Sequence, residues 1–202
     1  MRSIIILETM IIKDLKFIYS LIDEVILEHT DCIIGIDGRC GSGKSTLGTA
    51  LANKYLGNLF HMDDFYLQKY QRTAQRLSEV GGNIDYERFN EEILHPLLNK
   101  EDILYRPFDC HTLGFNEALK CIMPYSHINI VEGSYSLHPT FNEIYNLKIF
   151  VDIDKKTQQQ HLLLRDGYDN LTVFNTVWIP KEEAYFDKFN IRKTADIIYN
   201  AY

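Results

Sequence analysis

The chain has 202 residues, 46% of them hydrophobic and 24% charged, with a formal net charge of −7. That length and composition fit one domain with a full core. The acidic balance excludes a broad nucleic-acid-binding or anionic-membrane surface, so any phosphate binding is expected to be local. The four cysteines, Cys32, Cys40, Cys110 and Cys121, make no C-x-x-C pair, and no zinc site, redox motif or disulfide framework is expected.

The run Ile4-Ile5-Ile6-Leu7 is too short for a signal peptide core and lacks a cleavage site. Lys13, Asp14, Lys16, Asp23 and Glu24 interrupt the apolar residues that follow, so no membrane span and a cytoplasmic location are expected. Ile11 to Glu28 reads as an amphipathic helix, with Ile11, Leu15, Ile18, Ile22 and Val25 at helical spacing. It is expected to pack before the first strand, in an N-terminal extension covering residues 1–30.

Cys32 to Asp37 is an apolar, β-branched run that reads as a buried parallel strand. Gly38-Arg39-Cys40-Gly41-Ser42-Gly43-Lys44-Ser45 follows at once, and Ser45 to Tyr55 then reads as a helix. Strand, Gly-x-x-x-x-Gly-Lys-Ser and helix together form a P-loop, the phosphate cradle of nucleotide-binding proteins. Gly38, Gly41 and Gly43 permit the backbone to turn tightly, and successive N–H groups from Cys40 to Thr46 form a nest backed by the helix dipole. Lys44 is expected at the β- and γ-phosphates and the Ser45 hydroxyl on Mg²⁺.

Asn58 to Met62 reads as a second strand ending in Asp63-Asp64-Phe65-Tyr66. Ligands collect at the carboxyl ends of strands in open α/β sheets, so two acids there, one strand from a P-loop, point to function rather than to turn formation. Gln68 to Asn83 reads as a flexible polar excursion over the site, carrying Arg72 and Arg76. Asp85 to Asn99 reads as a helix that Pro96 either kinks or restarts as a new turn, and Ile103 to Arg106 as an edge or hairpin strand stopped by Pro107. Phe108-Asp109-Cys110-His111 is expected in a loop, and Thr112 to Met123 has no decisive pattern.

His127 to Val131 reads as a buried strand ending in Glu132-Gly133, where Glu132 occupies the position of a Walker B carboxylate. Pro139 to Asn146 reads as a short helix, Leu147 to Asp152 as a strand, and Asp154 to Arg165 as a helix broken by Asp166-Gly167-Tyr168-Asp169. Pro180 to Phe189 reads as a helix preceded by Trp178, and Ile197-Ile198-Tyr199 as the last strand. Alternating strands and helices predict an α/β doubly wound parallel sheet in one P-loop domain spanning 1–202, with a small lid at about 155–170.

The segments Gly-x-x-Gly-Ser-Gly-Lys-Ser-Thr, Met-Asp-Asp-Phe-Tyr, Val-Glu-Gly-Ser-Tyr and Phe-Val-Asp-Ile-Asp resemble the uridine kinase family and its P-loop relatives, from about Cys32 to Asp196. The resemblance implies phosphoryl transfer from ATP or GTP, with Mg²⁺, to a small-molecule hydroxyl. The 5′-hydroxyl of uridine or a related nucleoside is the expected acceptor. It implies that Asp63 accepts the proton, that Tyr66 lines the base pocket, and that Glu132 stands near the metal. Asp85, Phe108, Asp109 and His111 are implied on the acceptor, with Phe108 where the family has tyrosine. The family's arginine-rich lid matches Gln158 to Asp166, where Arg165 alone remains arginine. Lys44, Asp63 and Arg165 are thus the expected catalytic residues. Arg72, Arg76, Arg88 and Arg106 keep open a phosphorylated or acidic acceptor, and the depleted lid keeps open a nucleotide-binding regulator. No nucleic-acid or membrane partner is expected, and homo-oligomerisation is left open.

Overall fold

The computed structural model describes residues 9–109, 112–115, 120–141 and 143–200. β1 (Met10–Ile12) opens the described chain, and α1 (Leu15–Glu28) follows, N-capped by Asp14, whose side chain accepts from the Lys16 amide. The sequence reading started this helix at Ile11. Instead Met10 to Ile12 pair in parallel with the last strand of the chain, and Asp14 fixes the helix start. Ile18 and Ile22 are fully buried as expected.

β2 (Cys32–Gly38) and α2 (Lys44–Tyr55) flank the phosphate loop, and β3 (Asn58–His61) runs into a 3₁₀ turn over Met62–Phe65. The segment read as a flexible excursion is ordered, with a 3₁₀ turn at Lys69–Gln71 and α3 (Ala74–Ser78). Arg76 ties it down through Glu87 and the Ile84 carbonyl. α4 (Tyr86–Phe89), a π turn over Asn90–Leu94 and α5 (His95–Asn99) make the kinked helix, with the irregular turn just before Pro96.

β4 (Ile103–Tyr105) pairs antiparallel with β7 (Cys121–Met123), and β5 (Phe108–Asp109) with β6 (Gly114–Phe115), where a loop was expected. β8 (Ile128–Glu132) and β9 (Leu147–Asp152) follow; between them Pro139–Phe141 forms only a 3₁₀ turn. α6 (Lys155–Val173) does not stop at Asp166. It kinks at Gly167, whose φ is 78°, and continues into a π turn at Phe174–Trp178 and then α7 (Ile179–Phe189). α8 (Ile191–Thr194) and β10 (Ile197–Asn200) end the described chain. Among the described residues no helix is long and apolar enough to cross a membrane.

The main sheet has the order β1-β10-β9-β2-β8-β3, with every pairing parallel. Both faces are covered, which is why β2 is buried along its whole length and lacks polar alternation. One face packs Phe60, Val131 and Phe150 against Phe65, Phe89, Phe141 and Phe186. The other packs Ile34, Ile36, Ile130 and Ile149 against Ile18 and Ile22 of α1 and Leu47 and Leu51 of α2. Because all six strands run the same way, the phosphate loop, the Met62–Phe65 turn and Glu132 emerge together at one edge.

Candidate active site

The phosphate loop is shaped by two constraints visible in its backbone. Gly38 has φ 141°, and a Cβ there would lie 2.1 Å from the Val151 carbonyl oxygen. Gly43 caps α2 with φ 96°, the left-handed geometry that a side chain would strain. Beneath the loop, buried Asp37 accepts from the Gly38 amide (2.7 Å), the Leu137 amide (3.0 Å) and the Tyr185 hydroxyl (2.8 Å). Burial pushes this carboxyl up to about 6. Arg39 clasps Asp152 and Glu183, fastening the loop to β9 and α7.

The loop borders a cavity of about 840 Å³. Cys40, Gly41, Gly43, Lys44, Ser45 and Thr46 line it from the P-loop, Asp63 and Tyr66 from the turn after β3, and Glu132 from β8. Arg165 lines it from α6. These are residues that the sequence placed at the nucleotide, the metal and the acceptor hydroxyl. Gly38 and Ser42 do not line it. Gly38 is the base of the loop, and Ser42 is 1% exposed with its amide turned to the Arg39 carbonyl.

Lys44 donates from Nζ to the carbonyls of Gly38 (2.7 Å) and Arg39 (3.0 Å), so the loop itself holds the ammonium at the cavity wall. Asp63 is accessible through the cavity, yet protein encloses most of its carboxyl, and that enclosure raises it above the usual aspartate range. The charge of Glu132 raises it further, while Lys44 and the Tyr66 hydroxyl, which donates to Asp63 Oδ1 at 3.1 Å, oppose the shift. Asp64 turns elsewhere and accepts from the Tyr105 hydroxyl at 3.4 Å.

Glu132 is 3% exposed. Its Oε1 meets His61 Nδ1, and this bond raises the His61 pKa. Its Oε2 is buried with no hydrogen-bond partner among the described residues. Ser45 and the orphaned Glu132 oxygen on one cavity fit a magnesium ion. Among the described residues no three His, Cys, Asp or Glu side chains converge as a metal cage.

Other expected site residues lie apart. Asp85 is 3% exposed and does not border the cavity. It N-caps α4 through the Arg88 amide, accepts from Gln71 Nε2 at 2.7 Å, and lies 3.8 Å from Arg88 Nε. Its residue type and position serve a cap, which the sequence reading took for acceptor binding. Phe108 packs edge-on against Tyr66, with centroids 5.9 Å apart, behind the cavity wall. Asp109 sits on the β5–β6 ladder, outside the cavity lining. His111 lies outside the described residues.

Several lining residues had no assigned role: Ser134, Tyr135, His161, Leu164, Phe174, Trp178 and Glu182. Trp178 and Glu182 are one helical turn apart and so face the same way, a spacing that was readable in the sequence. Tyr66 and Trp178 form an aromatic wall with centroids 6.1 Å apart.

No family model matches the chain. It is 32% identical over 145 residues to a uridine kinase of Clostridium botulinum, a match covering 66% of this chain and 68% of that protein. It is 26% identical over 181 residues to a uridine kinase of Staphylococcus epidermidis, covering 82% of this chain and 86% of the relative. In fold it is similar to a possible uridine kinase from Bacillus stearothermophilus, with a TM-score of 0.66 at 18% identity over 92% of this chain and 98% of that one. Kinases of this group in general use a nucleotide and Mg²⁺, and the parallel sheet flanked by helices is the frame that the chain shares with them. The chain belongs to the uridine kinase-like family of P-loop kinases.

Proposed function

We propose that the chain transfers the γ-phosphoryl group of ATP to a hydroxyl of a small molecule, with the 5′-hydroxyl of uridine or a related nucleoside as acceptor. One observation carries the reading: Lys44, Ser45, Asp63, Glu132 and Arg165 line a single cavity that also has an aromatic wall of Tyr66, Phe174 and Trp178. Such a wall offers a base a stacking surface.

Phosphoryl transfer depends on positioning and charge neutralisation more than on covalent chemistry. The Cys40 and Ser42 amides of the expected nest are taken by Glu182 and the Arg39 carbonyl, so the remaining loop amides and Lys44 hold the phosphates, and Ser45 and Glu132 would hold the metal. Mg²⁺, when bound, neutralises charge on the phosphate oxygens. Asp63 orients the acceptor hydroxyl. An alcohol is far too weak an acid to ionise in the ground state beside it, so Asp63 takes the proton late, as the bond to phosphorus forms.

An acidic or phosphorylated acceptor loses its main support. Arg88 and Arg106 both engage Glu92, Arg76 engages Glu87, and Arg72 donates to the Leu67 carbonyl. None of the four lines the cavity.

A transfer assay with ATP and a panel of uridine, cytidine, adenosine, ribose and ribose 5-phosphate tests the reading. Phosphorylated nucleoside is the expected product. ATP turnover that is negligible, or the same with and without every acceptor, would point to a nucleotide-binding regulator instead.

Arg165 gives a second test. It is 57% exposed at its side chain and is held by Asp166 at 2.8 Å, with its guanidinium 5.6 Å from the Phe174 ring centroid. Arg165→Ala is expected to lower kcat by at most about 10²-fold, with a smaller change in nucleotide affinity, because its contact to the phosphoryl oxygens strengthens in the transition state. Unchanged kcat with a raised KM would mark a plain binding role.

A further inference from the structure

Glu182 is the unexplained charge in the cavity. It is 4% exposed, in the first turn of α7. Oε2 accepts the Cys40 amide of the phosphate loop at 3.0 Å, and Oε1 accepts the Ser134 hydroxyl at 2.5 Å. No ion pair reaches it among the described residues; its neighbour Glu183 takes Arg39 instead. A buried carboxylate without a cation is costly unless its lone pairs are used. Its two oxygens can accept four hydrogen bonds, and the Cys40 amide, the Cys40 thiol and the Ser134 hydroxyl supply three, so some acceptor capacity remains on a group that borders the cavity.

The charge balance around it is one-sided. Asp63, Glu132 and Glu182 line the cavity as carboxylates, against Lys44 and Arg165 as permanent cations. Lys44 belongs to the phosphate loop, and Arg165 stands on the lid helix beside Asp166. Both also act on Cys40, the loop residue that Glu182 holds, but neither forms an ion pair with Glu182 among the described residues. Burial chiefly raises the phenols of Tyr66 and Tyr135, and the charge of Glu182 adds to it. A carboxylate or phosphate on an acceptor would meet this field at close range, where like charges repel strongly. A hydroxyl would donate into it.

We propose that Glu182 is a specificity-determining residue of the acceptor subsite, accepting a hydrogen bond from a hydroxyl of a polyhydroxy acceptor that bears no negative charge. This rests on the kinase reading above but concerns binding, so the two can fail separately. The same carboxylate also holds the Cys40 amide, which couples the acceptor subsite to the phosphate loop.

The test uses the full chain with Mg²⁺ and a non-hydrolysable ATP analogue, and reads acceptor binding by calorimetry. The probes are two matched pairs, uridine with orotidine and glycerol with D-glycerate, each differing by a carboxylate. Wild type is expected to bind the neutral member of at least one pair tenfold or more tighter than its anion. E182Q should weaken the neutral acceptor by about 10- to 100-fold, the worth of a hydrogen bond to a charged group. It should also shrink the discrimination against the anion. E182D keeps the charge and should keep the discrimination, which also covers the case in which E182Q does not fold. Equal or tighter binding of the anions by wild type overturns the proposal. So does an E182Q protein whose melting temperature falls while the neutral-to-anion ratio stays put, or a failure of all four probes to bind. Discrimination without phosphoryl transfer to any acceptor would leave Glu182 standing and sink the kinase function. Transfer without discrimination would do the reverse.

Discussion

Lys44→Met is expected to lower kcat by about 10²-fold or more, because it removes a preorganised charge from the oxygens that gain charge in the transition state. The methionine keeps most of the stem, so the cavity wall stays filled. What it loses is the ammonium that now donates to the Gly38 and Arg39 carbonyls. Lys44 is 9% exposed, so those carbonyls also lose donors in a largely buried setting, and a stability loss of about 1–3 kcal/mol accompanies the catalytic one. Steady-state kinetics beside a thermal melt separates the two effects. A mutant that turns over near the wild-type rate would remove the phosphate loop from the mechanism.

The parts of this molecule that were legible in the sequence are those in which local pattern and tertiary role agree. Cys32 to Gly38 is largely apolar on both faces because helices cover both faces, and it must end in glycine because the backbone there passes against Val151. Asp63 and Glu132 could be located because parallel strands deliver their carboxyl ends to one edge.

Residues whose partners are distant in sequence were not legible. Ile11 joins a strand whose partner, Ile198, lies near the other end of the chain, and nothing local distinguishes that from the start of a helix. Arg88 and Arg106 looked available for an anionic ligand until Glu92 is seen between them. Asp85 has the right residue type for a sugar hydroxyl, but its place at the start of α4 spends it on a cap. Glu182 was missed for the opposite reason. An acid in the first turn of a helix is ordinary in sequence, and only the fold turns it inward onto the phosphate loop.

The two neighbouring carboxylates divide the remaining question. In the 3₁₀ turn after β3, Asp63 faces the cavity and receives the Tyr66 hydroxyl, while Asp64 faces Tyr105. The Asp64 backbone carbonyl is taken by Arg88, so the turn is fixed on the side away from the cavity. Asp63→Asn keeps the size and one hydrogen-bond acceptor but loses the basicity. It is expected to bind ATP and acceptor while kcat falls by about 10²- to 10⁴-fold, the range for a lost general base. The sign of the pH dependence follows from the carboxyl's raised pKa. The base form is required, so activity is lost as pH falls through a pKa above the ordinary aspartate value of 3.8, and this limb should vanish in Asp63→Asn. Asp64→Asn should do far less to kcat and should act mainly on stability, through the Tyr105 contact. Kinetics of both mutants across pH, with ATP affinity from calorimetry, decides the matter. An inactive Asp64→Asn beside a normal Asp63→Asn would reverse the assignment, and two active mutants would leave the transfer reaction without its base.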